Sequence, residues 1–139
     1  MKNNLNDVIM RAQAEIWAIW PEALQAALIA DPAIDNDLIA AATRPGPKTG
    51  RVATVPIIGG IAHRASFWSD FFGGATVERL TKTLRDYGAD PTISTVVLEV
   101  DSPGGTVSGV PELAAEVRRL KETKHVVALV NDLAASAAY

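Results

Sequence analysis

Two short apolar runs, Thr95–Val100 and Val126–Val130, each lead into a loop of very small residues. The first loop is Asp101-Ser-Pro-Gly-Gly105; the second, about thirty residues on, is Leu133-Ala-Ala-Ser136. Runs this short and this rich in β-branched residues read as strands. Between them Val107, Val110, Ala114, Val117 and Leu120 recur at helical spacing, while Glu112, Glu116, Arg118, Arg119 and Lys121 are expected to face water. A strand, a helix and a second strand in this order imply parallel neighbours joined by a right-handed crossover. The glycine turn and the serine then arrive side by side at the carboxyl edge of one sheet, which is where open parallel sheets place ligands.

The rest of the chain divides into three zones. Residues 1–42 are alanine-rich and patterned as a helical arm, with Ile9, Ile16 and Trp20 on one face and Trp17 close by. Pro21 interrupts that arm and can open a second helix, because proline at the first helical position gives up no hydrogen bond. Residues 43–51 carry the Pro/Gly density of a linker. Lys48-Thr49 superficially resembles a phosphate loop, but Pro47 has no N–H to offer a phosphate. Residues 52–139 read as a βα domain. Val52–Ile58 is a strand that Pro56 assigns to an edge or an end. An aromatic loop with Phe67, Trp68, Phe71 and Phe72 precedes a helix that turns Val77, Leu80, Leu84 and Tyr87 inward and stops at Gly88. The fold class expected is α/β, a mostly parallel sheet with flanking helices.

With 139 residues, 48% of them hydrophobic and 21% charged, the chain has the length and composition of one globular domain. A net charge of −3 gives no electrostatic reason to expect nucleic acid or an anionic membrane as partner. The absence of cysteine excludes disulfides and thiolate metal sites, and His63 and His125 lack ligand spacing, so neither metal nor cofactor is expected. No basic region followed by an apolar stretch opens the chain, and its longest apolar runs, about ten residues, fall short of the ~20 that span a bilayer. A cytoplasmic location is the expectation.

Glycine without Cβ lets its N–H approach a ligand closely and tolerates positive φ. Gly104 and Gly105 are equally the residues of a plain tight turn. Ser136, flanked by alanines, has room for an accessible hydroxyl at the head of a helix, whose N-terminus would favour an oxyanion. Serine is also an ordinary N-cap residue. A serine beside glycine amides is half of an acyl-transfer site; the other half is a base.

Residues Val97-Leu-Glu-Val-Asp-Ser-Pro-Gly-Gly-Thr-Val107 and Val127-Ala-Leu-Val-Asn-Asp-Leu-Ala-Ala-Ser-Ala-Ala-Tyr139 resemble the two signature segments of the signal peptide peptidase A family of serine peptidases, which share the Clp protease/crotonase fold. Val52–Ala62, with the Phe67-Trp68-Ser69-Asp70 loop, is similar to the phage branch of that family, the head maturation or minor capsid proteases. The resemblance covers roughly residues 50–139. It implies Ser136 as nucleophile, the N–H groups of Gly105 and Ala137 as oxyanion hole, and Gly104, Thr106 and Val107 along a substrate strand laid on by β-augmentation. It also implies a protein or peptide substrate, such as a capsid scaffold or portal protein, and a homo-oligomer.

The family's base is a lysine downstream of the serine, and Lys82, Lys121 and Lys124 match no such position. The expectation is a fragment that stops after the nucleophile, inactive alone, whose second apolar strand is left as an exposed, self-associating edge. Three functions compete with a Ser–Lys endopeptidase of capsid maturation. They are peptide degradation of the signal peptide peptidase type, a crotonase-like acyl-CoA enzyme that uses glycine loops without a nucleophile, and a non-catalytic capsid assembly module.

Overall fold

The computed structural model describes Ala14 and residues 16–29, 46–64 and 74–139. The elements in chain order are β1 (Trp17–Ile19), α1 (Pro21–Ile29), β2 (Lys48–Thr49), β3 (Val52–Ile58), β4 (Ile61–Ala62), β5 (Ala75–Thr76), α2 (Val77–Ala89), β6 (Thr95–Ser102), β7 (Gly104–Thr106), α3 (Val110–Lys121) and β8 (His125–Ala134). A single 3₁₀ turn, Ser136–Ala138, follows β8. The architecture is mixed α/β, with two mixed sheets and three α-helices among the described residues.

The larger sheet has the order β2-β3-β6-β8. β3, β6 and β8 are parallel, and β6 pairs with β8 from Thr95↔His125 to Val100↔Val130. The register then slips before Ser102↔Ala134, so β8 runs four residues past the apolar run that marks it in the sequence. β6 alternates strictly, burying Val96, Leu98, Val100 and Ser102 on one face. Those apolar residues join Ala53 and Val55 of β3, Leu80, Leu84 and Tyr87 of α2, and Leu120 of α3 in one core. α2 is capped at its start by Thr76, whose hydroxyl accepts from the Arg79 N–H, and it ends at Ala89, one residue beyond the expected Gly88 stop.

Several expectations are corrected. Trp17–Ile19 is a strand, not part of a helix; Ile9 and the Phe67–Phe72 loop lie outside the described residues. Lys48-Thr49 is not linker but an antiparallel strand that turns through Gly50, at φ 60°, onto Val52 and Ala53. Pro56 therefore sits in a strand flanked on both sides, but beyond the two residues that β2 pairs, where its missing N–H breaks no ladder. The Gly104-Gly105 pair is not a plain tight turn. It forms β7, and α3 starts after Gly109 at φ 82° with Pro111 in its first turn, leaving Val107 37% exposed before it. Glu116, expected in water, is buried, because Arg85 of α2 reaches across to one carboxylate oxygen at 3.0 Å while Arg119 binds the other. β8 ends its sheet among the described residues, with Val127, Leu129 and Val130 exposed.

Candidate active site

The smaller sheet, ordered β1-β7-β4-β5, is built from strands of two or three residues and sits at the carboxyl ends of β3 and β6. Its geometry follows from the Asp-Ser-Pro-Gly-Gly run. Ser102, the last residue of β6, is fully buried. Its hydroxyl donates to the Gly59 carbonyl at 2.6 Å and accepts from the Gly104 N–H at 3.2 Å. Its own carbonyl accepts from the Ala135 N–H at 3.1 Å. One serine thus ties the end of β3, the glycine pair and the segment leading to Ser136 to the tip of β6. Sequence reasoning passed over Ser102. A signal was available, because a serine two residues before a tight turn commonly hydrogen-bonds the backbone two positions on.

Glycine is required at both positions of the pair. Gly104 has φ 98°, and a Cβ there would stand 2.3 Å from the Ala18 carbonyl oxygen, 3.0 Å from the Ala137 nitrogen and 3.1 Å from the Ala135 oxygen. A Cβ on Gly105 would lie 1.8 Å from the Ile61 carbonyl oxygen. Backbones of β1, β4, β7 and the Ser136 turn meet here with no side chain between them.

Ser136 itself is exposed and has φ 53°, the non-glycine residue with positive φ among those described. Left-handed backbone at serine is uncommon and carries a strain on the order of 1 kcal/mol. Such strain marks sharp strand-to-turn bends that lift a nucleophile clear of its neighbours. The turn packs against β7 and β1. Ser136–Ala138 is a 3₁₀ turn, where the head of an α-helix was expected.

The structure therefore brings Gly104, Gly105, Ser136 and Ala137 to one place, at the ends of the neighbouring strands β6 and β8. Thr106 is buried in β7, and its hydroxyl has no partner among the described residues. Val107 is exposed at the end of β7, and its N–H donates to the Ile16 carbonyl. Ser136 also lines an open groove of about 520 Å³ between the sheet and α3, together with Val100, Leu113, Val117 and Lys121. The other described lysines are engaged elsewhere. Lys48 pairs with Asp90, Lys82 with Asp86, and Lys124 donates to the Asp90 and Ile93 carbonyls. His125 is exposed at the start of β8, at the opposite end of that strand from Ser136.

Comparison with known proteins finds similarity to phage proteins. Over 87 residues the chain is 36% identical to the head-tail preconnector protein GP5 of Enterobacteria phage P21, covering 63% of this chain and 17% of that protein. Over 99 residues it is 28% identical to capsid assembly protease C of Escherichia phage lambda, covering 66% of this chain and 23% of the relative. The chain is similar to phage capsid-assembly proteins. It spans less than a quarter of the length of either relative. No family model matches the sequence. No described helix is long and apolar enough to cross a membrane.

Proposed function

We propose that this chain carries the nucleophile and oxyanion hole of a serine endopeptidase acting in phage capsid maturation, of the signal peptide peptidase A type on a Clp/crotonase-like fold. The observation that carries the reading is the strained, exposed Ser136 packed against the glycine strand β7 at the sheet edge. Ser136 is the nucleophile, and a lysine acting as general base takes its proton as the hydroxyl attacks a peptide carbonyl. The N–H groups of Gly105 and Ala137 receive the oxyanion, each donor contributing roughly 3 kcal/mol to the transition state. Collapse of the tetrahedral intermediate expels the amine and leaves an acyl-serine, which water hydrolyses. Thr106 and Val107 continue the edge along which an extended substrate lies.

The similarity to a capsid assembly protease and a head-tail preconnector favours a capsid, scaffold or portal protein as substrate, in a homo-oligomeric assembly in the host cytoplasm or virion. Ser136→Ala in the full-length protein is expected to abolish processing of head proteins while leaving the protein folded. Normal processing by that variant would instead support an assembly role without chemistry.

A further inference from the structure

Among the described residues β1 is an outer strand of its sheet, paired with β7, antiparallel, in the register Trp17↔Thr106, Ala18↔Gly105 and Ile19↔Gly104. The ladder is bounded by two hydrogen bonds, Val107 N–H to the Ile16 carbonyl at 2.8 Å and Trp20 N–H to the Pro103 carbonyl at 2.9 Å. Hydrogen-bonded pairs alternate along an antiparallel ladder. Ala18 and Gly105 are thus the hydrogen-bonded pair between those two, and the Gly105 N–H points at the Ala18 carbonyl. The same carbonyl oxygen lies 2.3 Å from the Cβ position of Gly104, a point that is 3.0 Å from the Ala137 nitrogen. One carbonyl of the chain's own N-terminal segment therefore faces the Gly105 amide, and both it and the Ala137 nitrogen pack on the Cβ position of Gly104.

We propose that Trp17–Ile19 is an internal occupant of the substrate edge, seated as a substrate strand would be, with Ala18 presenting its carbonyl to the Gly105 donor. This inference rests on the reading of Gly105 and Ala137 given above. An external segment pairs with this edge of β7 only by displacing β1. The segment that fits is extended, with a small residue in the place of Ala18 and apolar residues on either side of it. Trp17 and Ile19 share a face and line a crevice with Ile61, Ala62 and Thr106, Ile19 being buried there. The occupant is built to leave. Its ladder is three residues long, and it leaves the Thr106 hydroxyl, opposite Trp17, buried without a partner among the described residues. An unpaired buried hydroxyl destabilises the closed arrangement.

The test uses the full-length protein and a fluorescein-labelled peptide copying residues 15–20. The sequence has no cysteine, and Trp17 and Thr106 form a non-hydrogen-bonded pair, a spacing within reach of a disulfide. In a Trp17→Cys/Thr106→Cys variant, oxidation is expected to abolish peptide binding and reduction to restore it. Ala18→Pro, which removes an N–H from the ladder, is expected to bind the peptide at least tenfold more tightly than wild type, since an occupied site weakens apparent affinity by its vacant fraction. Equal binding by the oxidised and reduced forms overturns the proposal, and that comparison holds even if Ala18→Pro fails to fold. Peptide binding does not need the Ser136 hydroxyl. Failure of Ser136 chemistry with redox-gated binding intact would refute the active-site reading and leave a strand-binding edge.

Discussion

In the larger sheet, β3, β6 and β8 are seven to ten residues long, and Val55, Val96, Leu98 and Val100 meet α2 and α3 through side chains. In the smaller sheet no strand exceeds three residues, and its closest contacts are backbone on backbone at Gly74, Gly104 and Gly105. Burying apolar side chains is forgiving, because a core repacks around a lost methylene at a cost of about 1 kcal/mol. Backbone packed on backbone has no such latitude. A region assembled this way fixes amide groups in space, which an oxyanion hole needs, but its strands are short enough to exchange partners.

The comparison breaks most directly at Gly105. Gly105→Ala sets a methyl 1.8 Å from the Ile61 carbonyl oxygen, with no flexible atom able to give way. It is expected to cost about 3 kcal/mol or more, measured by denaturant unfolding. A mild effect would mean that the smaller sheet is looser than its geometry implies. Ser102→Ala comes next. It leaves the Gly59 carbonyl and the Gly104 N–H without their partner, so a loss of roughly 1–3 kcal/mol is expected. Hydrogen exchange should show that loss concentrated at Gly104 rather than spread over β6. Uniform destabilisation would make Ser102 a core residue and not a positioning one.

The smallest effect belongs to the helical layer. Arg119, and then Arg85, hold the Glu116 carboxyl below its ordinary value against the opposing effect of its burial. A carboxyl with a depressed folded value stabilises the protein above its unfolded value, and the contribution disappears as pH falls through the folded one. Both arginines are largely exposed, so Glu116→Gln should cost only about 1 kcal/mol at neutral pH. Thermal melts of variant and wild type should converge in acid. A gap that persists there would assign the effect to packing.

What the sequence made legible follows the same division. α2, α3 and the parallel pairing of β6 with β8 were readable because apolar periodicity reports side-chain burial directly. Val77, Leu80, Leu84 and Tyr87 are buried as their spacing requires. β1 and β7 were not readable, since Trp17–Ile19 pairs with Gly104–Thr106 across some ninety residues of chain, and β7 pairs in turn with the distant β4. Nothing local distinguishes Ile16 to Trp20 from one turn of an apolar helix. Glu116 was misread for a related reason, because its burial depends on Arg85 arriving from a different helix. The serine and glycine loops were legible by residue type, whereas Ser102, which joins them, shows its role only through its three hydrogen bonds.

The central claim is that Ser136 is a nucleophile activated beside the amides of Gly105 and Ala137. Treating the full-length protein with a fluorophosphonate and locating the adduct by mass spectrometry tests it most directly. The account predicts a single phosphonylated residue, Ser136, with labelling lost in Ser136→Ala. An unmodified Ser136 in folded protein, or labelling that persists in Ser136→Ala at the wild-type level, would contradict it.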